Sequence, residues 1–317
     1  MFRSVYFHIG PHKTGSSYLQ SFLINNKERL MEKDYVFPDL SNLNGEGHHI
    51  IAEPKFIKNE FHSFIDELNK NPINNNKILI LSSENFSRLN QDEITIVKNA
   101  LKDIPDIIVL MFLRNPASVL RSLWCESIKH KSIKSHPDFL VEHFVKPHFS
   151  EILNPYILHD KFSNEFKVRV IDYDKICKKN ISSIAKIFLE AISCDGKFKY
   201  PTFEINKSFS LEETEIYRNV NIAYKKNNLP TLNQKEFKKV AKINSLQVSI
   251  DDASNRILRI PFEDSALSGP YKRFINDSNI EYYNPIKIGL FKDDVSLSAL
   301  EIMKSYDELI SVKFDDN

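Results

Sequence analysis

Residues 5–20 read Val-Tyr-Phe-His-Ile-Gly-Pro-His-Lys-Thr-Gly-Ser-Ser-Tyr-Leu-Gln. The apolar run Val5 to Ile9 predicts a buried strand. Gly10 and Pro11 break it. Leu19, Phe22 and Leu23, with Leu30 beyond them, then fall at helical spacing. A strand, a tight loop and a helix start aim backbone N–H groups and the positive end of a helix dipole at one point, where an anion can sit. Lys13 adds a mobile positive charge, and Ser16 and Ser17 add hydroxyl groups. The chain has only seven glycines, and two of them, Gly10 and Gly15, fall here, as a close backbone approach requires.

The same alternation continues downstream. Ile78 to Leu81, Ile107 to Leu113 and Val168 to Ile171 predict three more buried strands. Helical patterns lie between and after them: Glu60 to Leu68, the set Ile94, Val97 and Leu101, a helix opened by Pro116, and Ser182 to Ile192. Residues 34–47, rich in Asn, Gly and Pro, read as loop, and His48 to Ala52 as the start of a short helix. This predicts an α/β fold with a mostly parallel central sheet covered by helices on both faces. Ligands on such sheets sit at the carboxyl ends of the strands, where four polar clusters fall. Beyond residue 199 the pattern weakens to helices at Leu211 to Tyr224 and Gln234 to Ile243. No composition shift marks a boundary, so residues 1–317 are expected to form one domain, its part beyond about residue 200 the least defined.

A formal net charge of +1 supplies no global field toward nucleic acid or membrane, so an anion site must be local. The three cysteines, Cys125, Cys177 and Cys194, lack metal spacing, and no apolar run is long enough for an anchor. The expectation is a cytoplasmic protein with no metal site and no membrane or nucleic-acid partner.

The loop departs from the Walker A order G-x-x-x-x-G-K-[ST], because Lys13 precedes Gly15 and Ser16 follows it. Pro-x-Lys-Thr-Gly-Ser-Ser instead resembles the 5′-phosphosulfate loop of the sulfotransferases that use 3′-phosphoadenosine-5′-phosphosulfate (PAPS). That family has Pro-Lys-[Ser/Thr]-Gly-[Thr/Ser]-[Thr/Ser]; here His12 is inserted between Pro11 and Lys13. A second run, Arg114-Asn115-Pro116-Ala117-Ser118-Val119-Leu120-Arg121-Ser122, looks like the family's 3′-phosphate motif, an arginine at a strand end and a serine eight positions later (122 − 114 = 8). Arg121 reads as a solvated helix charge. Tyr173, in Asp172-Tyr173-Asp174, resembles a weaker element near the nucleotide, and Ser268 to Arg273 a late basic loop that closes over it. The resemblance spans roughly residues 4 to 190.

It implies a P-loop-like sulfotransferase fold and in-line transfer of a sulfuryl group from PAPS to an acceptor hydroxyl or amine, on a carbohydrate, leaving 3′-phosphoadenosine-5′-phosphate (PAP) without need of a metal. The residues it assigns to the nucleotide are His12, Lys13, Thr14, Gly15, Ser16, Ser17, Arg114, Ser122, Tyr173, Lys272 and Arg273. Lys13 would also stabilise the departing charge. A base must take the acceptor's proton. Glu84, after the second of these strands and flanked by Ser82 and Ser83, is the first choice and His49 the second, with His48 and His12 as further candidates. Ser82 and Ser83 are expected to hydrogen-bond the carboxylate or the acceptor. Two alternatives compete: an ATP-dependent P-loop kinase of a small molecule, which needs magnesium and gives Arg114 and Ser122 no task, and a non-catalytic protein that binds PAP or a glycan.

Overall fold

The computed structural model describes residues 1–40, 48–146, 149–174, 182–201, 209–237, 239 and 268–280. Its strands are β1 (Ser4–Ile9), β2 (Tyr35–Val36), β3 (Ile78–Ser82), β4 (Asp106–Leu113) and β5 (Lys167–Asp172). Its helices are α1 (Ser16–Asn25), α2 (Lys27–Met31), α3 (Pro54–Asn59), α4 (Phe61–Lys70), α5 (Gln91–Ala100), α6 (Pro116–Lys129), α7 (His136–Phe144), α8 (Tyr156–Ser163), α9 (Ser182–Ala191), α10 (Leu211–Lys226) and α11 (Gly269–Asn276). Taken over the described residues, these fall into two compact units, one built on Met1–Asn115 and Pro155–Ile205, the other on Pro116–Asn154 and Asn206–Ile275.

The first unit carries a five-stranded sheet in the order β2-β3-β1-β4-β5. Every pairing described in it is parallel. The sheet is α/β with the loop-bearing strand in the middle, the P-loop-like arrangement the sequence predicts. β1 and β3 are buried along their whole length, as a strand covered on both faces must be. On one face, Tyr6, Leu110, Phe112 and Ile171 pack against Leu19 and Phe22 of α1 and Ile184 and Phe188 of α9. On the other, Phe7 and Val109 meet Ile94 and Val97 of α5, Phe162 of α8, Phe86 and Phe166. Each such fully buried large apolar side chain contributes roughly 1.5–3 kcal/mol.

The sequence reading differs from the structure at several places. Tyr35 and Val36, inside a stretch read as loop, form β2 and pair with Ile78 and Leu79. Two residues are too short to show periodicity; the edge of β3 recruits them. The 3₁₀ turn Ile50–Ala52 stands where a short helix start was expected. Helices α7 and α8 carry no counterpart in the sequence reading. The expected basic loop at Ser268 to Arg273 is instead the start of α11. Pro270 suits a first helical turn, and burial of Pro270 and Phe274 draws the segment into a helix. Half of the expected helix Gln234 to Ile243, with Gly45, Gly47 and Cys177, lies outside the described residues, and residues 234–237 and 239 are helical as expected.

In the second unit, Trp124, Cys125 and Ile128 on one face of α6 pack against Tyr217 of α10 and Phe237. Trp124 Nε1 donates to the Lys134 carbonyl at 3.0 Å. Leu120, Leu140 and Leu153 form a neighbouring cluster. No helix among the described residues is long and apolar enough to cross a membrane.

Candidate anion-binding and proton-transfer site

Because the strands are parallel, their carboxyl ends share one edge. Gly10 leaves β1, Ser83 leaves β3, Arg114 leaves β4 and Tyr173 follows β5. Gly10 is required by closeness: a Cβ there would come within 2.9 Å of Glu84 Cβ. The loop then bends through two left-handed residues, Lys13 at φ 70° and Gly15 at φ 78°. Such a conformation strains a lysine; Arg114 Nη1 donates to the Lys13 carbonyl and holds it. At Gly15 a Cβ would also meet Ile184 Cδ1 at 2.4 Å and Tyr173 Cε2 at 3.3 Å. Thr14 is buried and its hydroxyl donates to the Pro11 carbonyl at 2.8 Å, so this side chain closes the loop.

Gly15 caps α1 without any side-chain bond, which leaves the amino end of the helix open. Ser16 Oγ is buried and makes no hydrogen bond, and Arg114 Nε is buried and has none either. Buried polar atoms left unbonded are uncommon, and these two sit at the loop. Ser17 is exposed. An open helix end, unpartnered donors and a lysine fit a phosphate or sulfate group. The Arg114 guanidinium lies 4.9 Å from the centroid of the Tyr173 ring, and its Nε is 3.9 Å from Asp174 Oδ1. Asp174 also accepts from the Asn115 amide. Arg114 is therefore both a strut of the loop and a charge at its rim.

Glu84 opens the 3₁₀ turn Glu84–Arg88, which Ser83 caps by accepting from the Asn85 amide at 3.1 Å. The Glu84 carboxylate is free of that duty. Its Oε2 accepts from Gln20 Nε2 at 3.3 Å, and its Oε1 stands 3.9 Å from His12 Nδ1. Gln20 is buried on α1 and also donates to the Ser82 carbonyl at 3.2 Å. Both partners are acceptors, so the amide nitrogen must face them. The Ser82 and Ser83 hydroxyls, expected to hold the carboxylate or the acceptor, have other partners: Ser82 Oγ bonds His8 Nδ1 at 2.8 Å and Ser83 Oγ bonds His49 Nδ1 at 3.1 Å.

The histidines separate by burial. His48 is buried and stacked on Phe37 at 4.2 Å. One ring nitrogen donates to the Pro38 carbonyl and the other accepts from the Ser82 amide. Burial pushes its imidazole down to about 4. It is a structural tie and is withdrawn as a base candidate. His49 is half-buried beside Ser83, on the same strand end as Glu84. His12 reaches Glu84 and Arg88.

Lys13, Thr14, Gly15, Ser16, Ser17, Arg114, Tyr173, Glu84, His12 and His49 are thus brought to one edge of the first unit's sheet. Ser122, half-buried on α6, and Lys272 and Arg273, half-buried and exposed on α11, belong to the second unit. Gln20, Arg88 and His8 join the site without a sequence motif, and Asp174, which lies in the run Asp172-Tyr173-Asp174, joins it without a role assigned from sequence. Gln20 alone left a faint signal, a polar residue four positions after Ser16 among apolar helix positions.

No protein-family model and no curated protein matches this chain. Among solved structures, a sulfotransferase from Alicyclobacillus acidocaldarius is similar over 69% of this chain and 92% of its own, at 14% identity and a TM-score of 0.42. A structure from the PezAT chromosomal toxin-antitoxin system of Streptococcus pneumoniae covers 69% of this chain and 84% of its own, at 15% identity and a TM-score of 0.27. Both likenesses are too distant to speak to chemistry.

Proposed function

We propose that the protein transfers a sulfuryl group from PAPS to a hydroxyl or amine of a carbohydrate acceptor, by in-line displacement. The observation that carries this reading is the meeting, at one sheet edge, of a lysine-bearing anion loop with unpartnered donors and a carboxylate tethered to that loop's own helix. Lys13 and the open end of α1 face negative charge as it grows on the leaving phosphate, where electrostatic stabilisation acts on the transition state rather than on binding. Arg114 supplies a guanidinium for the 3′-phosphate. Glu84 takes the acceptor's proton. Its tether to Gln20 keeps the carboxylate beside the loop, so the proton acceptor and the departing group are positioned by one element.

Lys13→Ala is the direct test. The residue lies in a half-buried loop, so the melting temperature should stay close to that of the wild type. Loss of charge stabilisation should lower kcat by roughly 10²-fold or more in a labelled-sulfate transfer assay over a glycan panel. Kinetics within about threefold of wild type would remove Lys13 from the mechanism. In a thermal-shift comparison PAP should stabilise the protein and ATP with magnesium should not; the reverse result favours a kinase. Stabilisation by PAP with no transfer to any glycan favours a binding protein.

Arg114→Ala addresses the nucleotide. Charge-assisted bonds are worth about 1.5–3 kcal/mol, so PAP should weaken by roughly 10–100-fold. Adenosine 5′-phosphosulfate, which lacks the 3′-phosphate, should lose less, its loss reflecting only the slackened Lys13 carbonyl. Equal losses by calorimetry would reduce Arg114 to a strut.

A further inference from the structure

Arg88 Nη2 lies 2.8 Å from His12 Nε2. A guanidinium only donates, and it does not lose its charge. Nε2 must therefore accept, which makes the His12 ring neutral with its proton on Nδ1. That nitrogen faces Glu84 Oε1 across 3.9 Å, beyond hydrogen-bond length but close enough for an N–H dipole to orient a carboxylate. The other Glu84 oxygen receives Gln20. Protonated His12 would pair with Glu84 yet turn a second N–H against Arg88, so the two arrangements exclude each other. Burial first, then the charges of Arg88, Lys13 and His49, oppose protonation of His12, and Glu84 alone favours it.

We propose that Arg88 and His12 form a positioning pair for Glu84: Arg88 locks His12 in the Nδ1–H tautomer, and that N–H steadies one oxygen of the carboxylate. The proposal rests on the reading of Glu84 as the base. His12 is part of the anion loop, and Arg88 closes the same 3₁₀ turn that Glu84 opens. The pair thereby joins the loop to the proton acceptor at the carboxylate oxygen that Gln20 does not hold. His12 is also the residue inserted in the loop motif, and this geometry gives the insertion a task.

The test begins with the full chain carrying ¹⁵N-labelled histidine, its ring signals assigned with a His12→Gln variant. Two-bond correlations at neutral pH should show His12 as Nδ1–H. In Arg88→Met the signal should move toward the Nε2–H form or a mixture. An Nε2–H ring in the wild type, or an unchanged Nδ1–H ring in Arg88→Met, overturns the lock. In the transfer assay, Arg88→Met should lower kcat by about tenfold or more while PAP affinity stays within about threefold. The acid limb of its pH profile should move to higher pH, because His12 without the Arg88 charge binds a proton more readily. His12→Gln, which keeps a neutral donor, should retain more turnover than His12→Ala. Wild-type kcat and an unmoved acid limb in Arg88→Met overturn the positioning role. A wild-type protein that transfers nothing defeats the reading of Glu84 as a base, and the tautomer then stands or falls on the spectra.

Discussion

Glu84→Gln is expected to keep PAP affinity and lose turnover by about 10²–10⁴-fold. The substitution is close to isosteric, and its amide oxygen can still accept from Gln20, whose bond at 3.3 Å ties α1 to the end of β3. What disappears is a group able to take a proton. The 3₁₀ turn should survive, because Ser83 rather than Glu84 caps it. His49 is the competitor, and its hydrogen bond argues for a different role. Ser83 Oγ accepts from the Asn85 amide and also bonds His49 Nδ1. With the Ser83 proton turned to Nδ1, His49 carries its own proton on Nε2, which presents a donor suited to binding an acceptor oxygen. His49→Ala should accordingly raise the acceptor KM more than it lowers kcat. Turnover that survives in Glu84→Gln and vanishes in His49→Ala would move the assignment to the histidine.

Acidification should destabilise the fold well before the carboxylates titrate. His8 and His48 are both buried, and burial pushes each imidazole down to about 4. For His8 the nearby Glu84 charge opposes this shift without cancelling it. In the unfolded chain both should titrate near the ordinary value of about 6.5. Between about pH 6.5 and 4 the unfolded state binds protons that the folded state refuses, so stability falls as the pH falls. Above that window neither state is protonated and no penalty remains. Each imidazole corresponds to roughly 3 kcal/mol across the window, a large part of the stability of an ordinary domain. Urea melts at pH 7 and pH 5 should show the loss, read as a lower midpoint with the same slope. His48→Gln should be less stable at pH 7, because it gives up the stacking on Phe37. Its stability should nevertheless depend less steeply on pH. A pH dependence equal to that of the wild type would mean that His48 is not held neutral in the folded state.

The class of fold was written locally. Strands β1, β3 and β4 are nearly continuous apolar runs bounded by turn residues, as burial on both faces requires, while edge strand β5 alternates Val168 and Val170 with Lys167 and Arg169. The tight loop between β1 and α1 was equally legible, because its strand, glycines, lysine and helix start are consecutive. Arg114, Tyr173 and Glu84 could be placed at strand ends for the same reason: in a parallel sheet each strand end reaches the same edge. The chemistry between these residues was not legible, because it depends on contacts between distant positions. Gln20 reaches Glu84 across 64 residues and Arg88 reaches His12 across 76. Adjacent His48 and His49 are the same residue type, yet only packing against Phe37 and the Ser82 amide makes one a structural tie and leaves the other beside Ser83. β2 exists only because the edge of β3 offers it a partner, and α11 only because Pro270 and Phe274 find a place to be buried. Sequence periodicity reports which side chains avoid water; only the tertiary structure decides which polar groups they carry into contact, since that depends on distance in space and on burial.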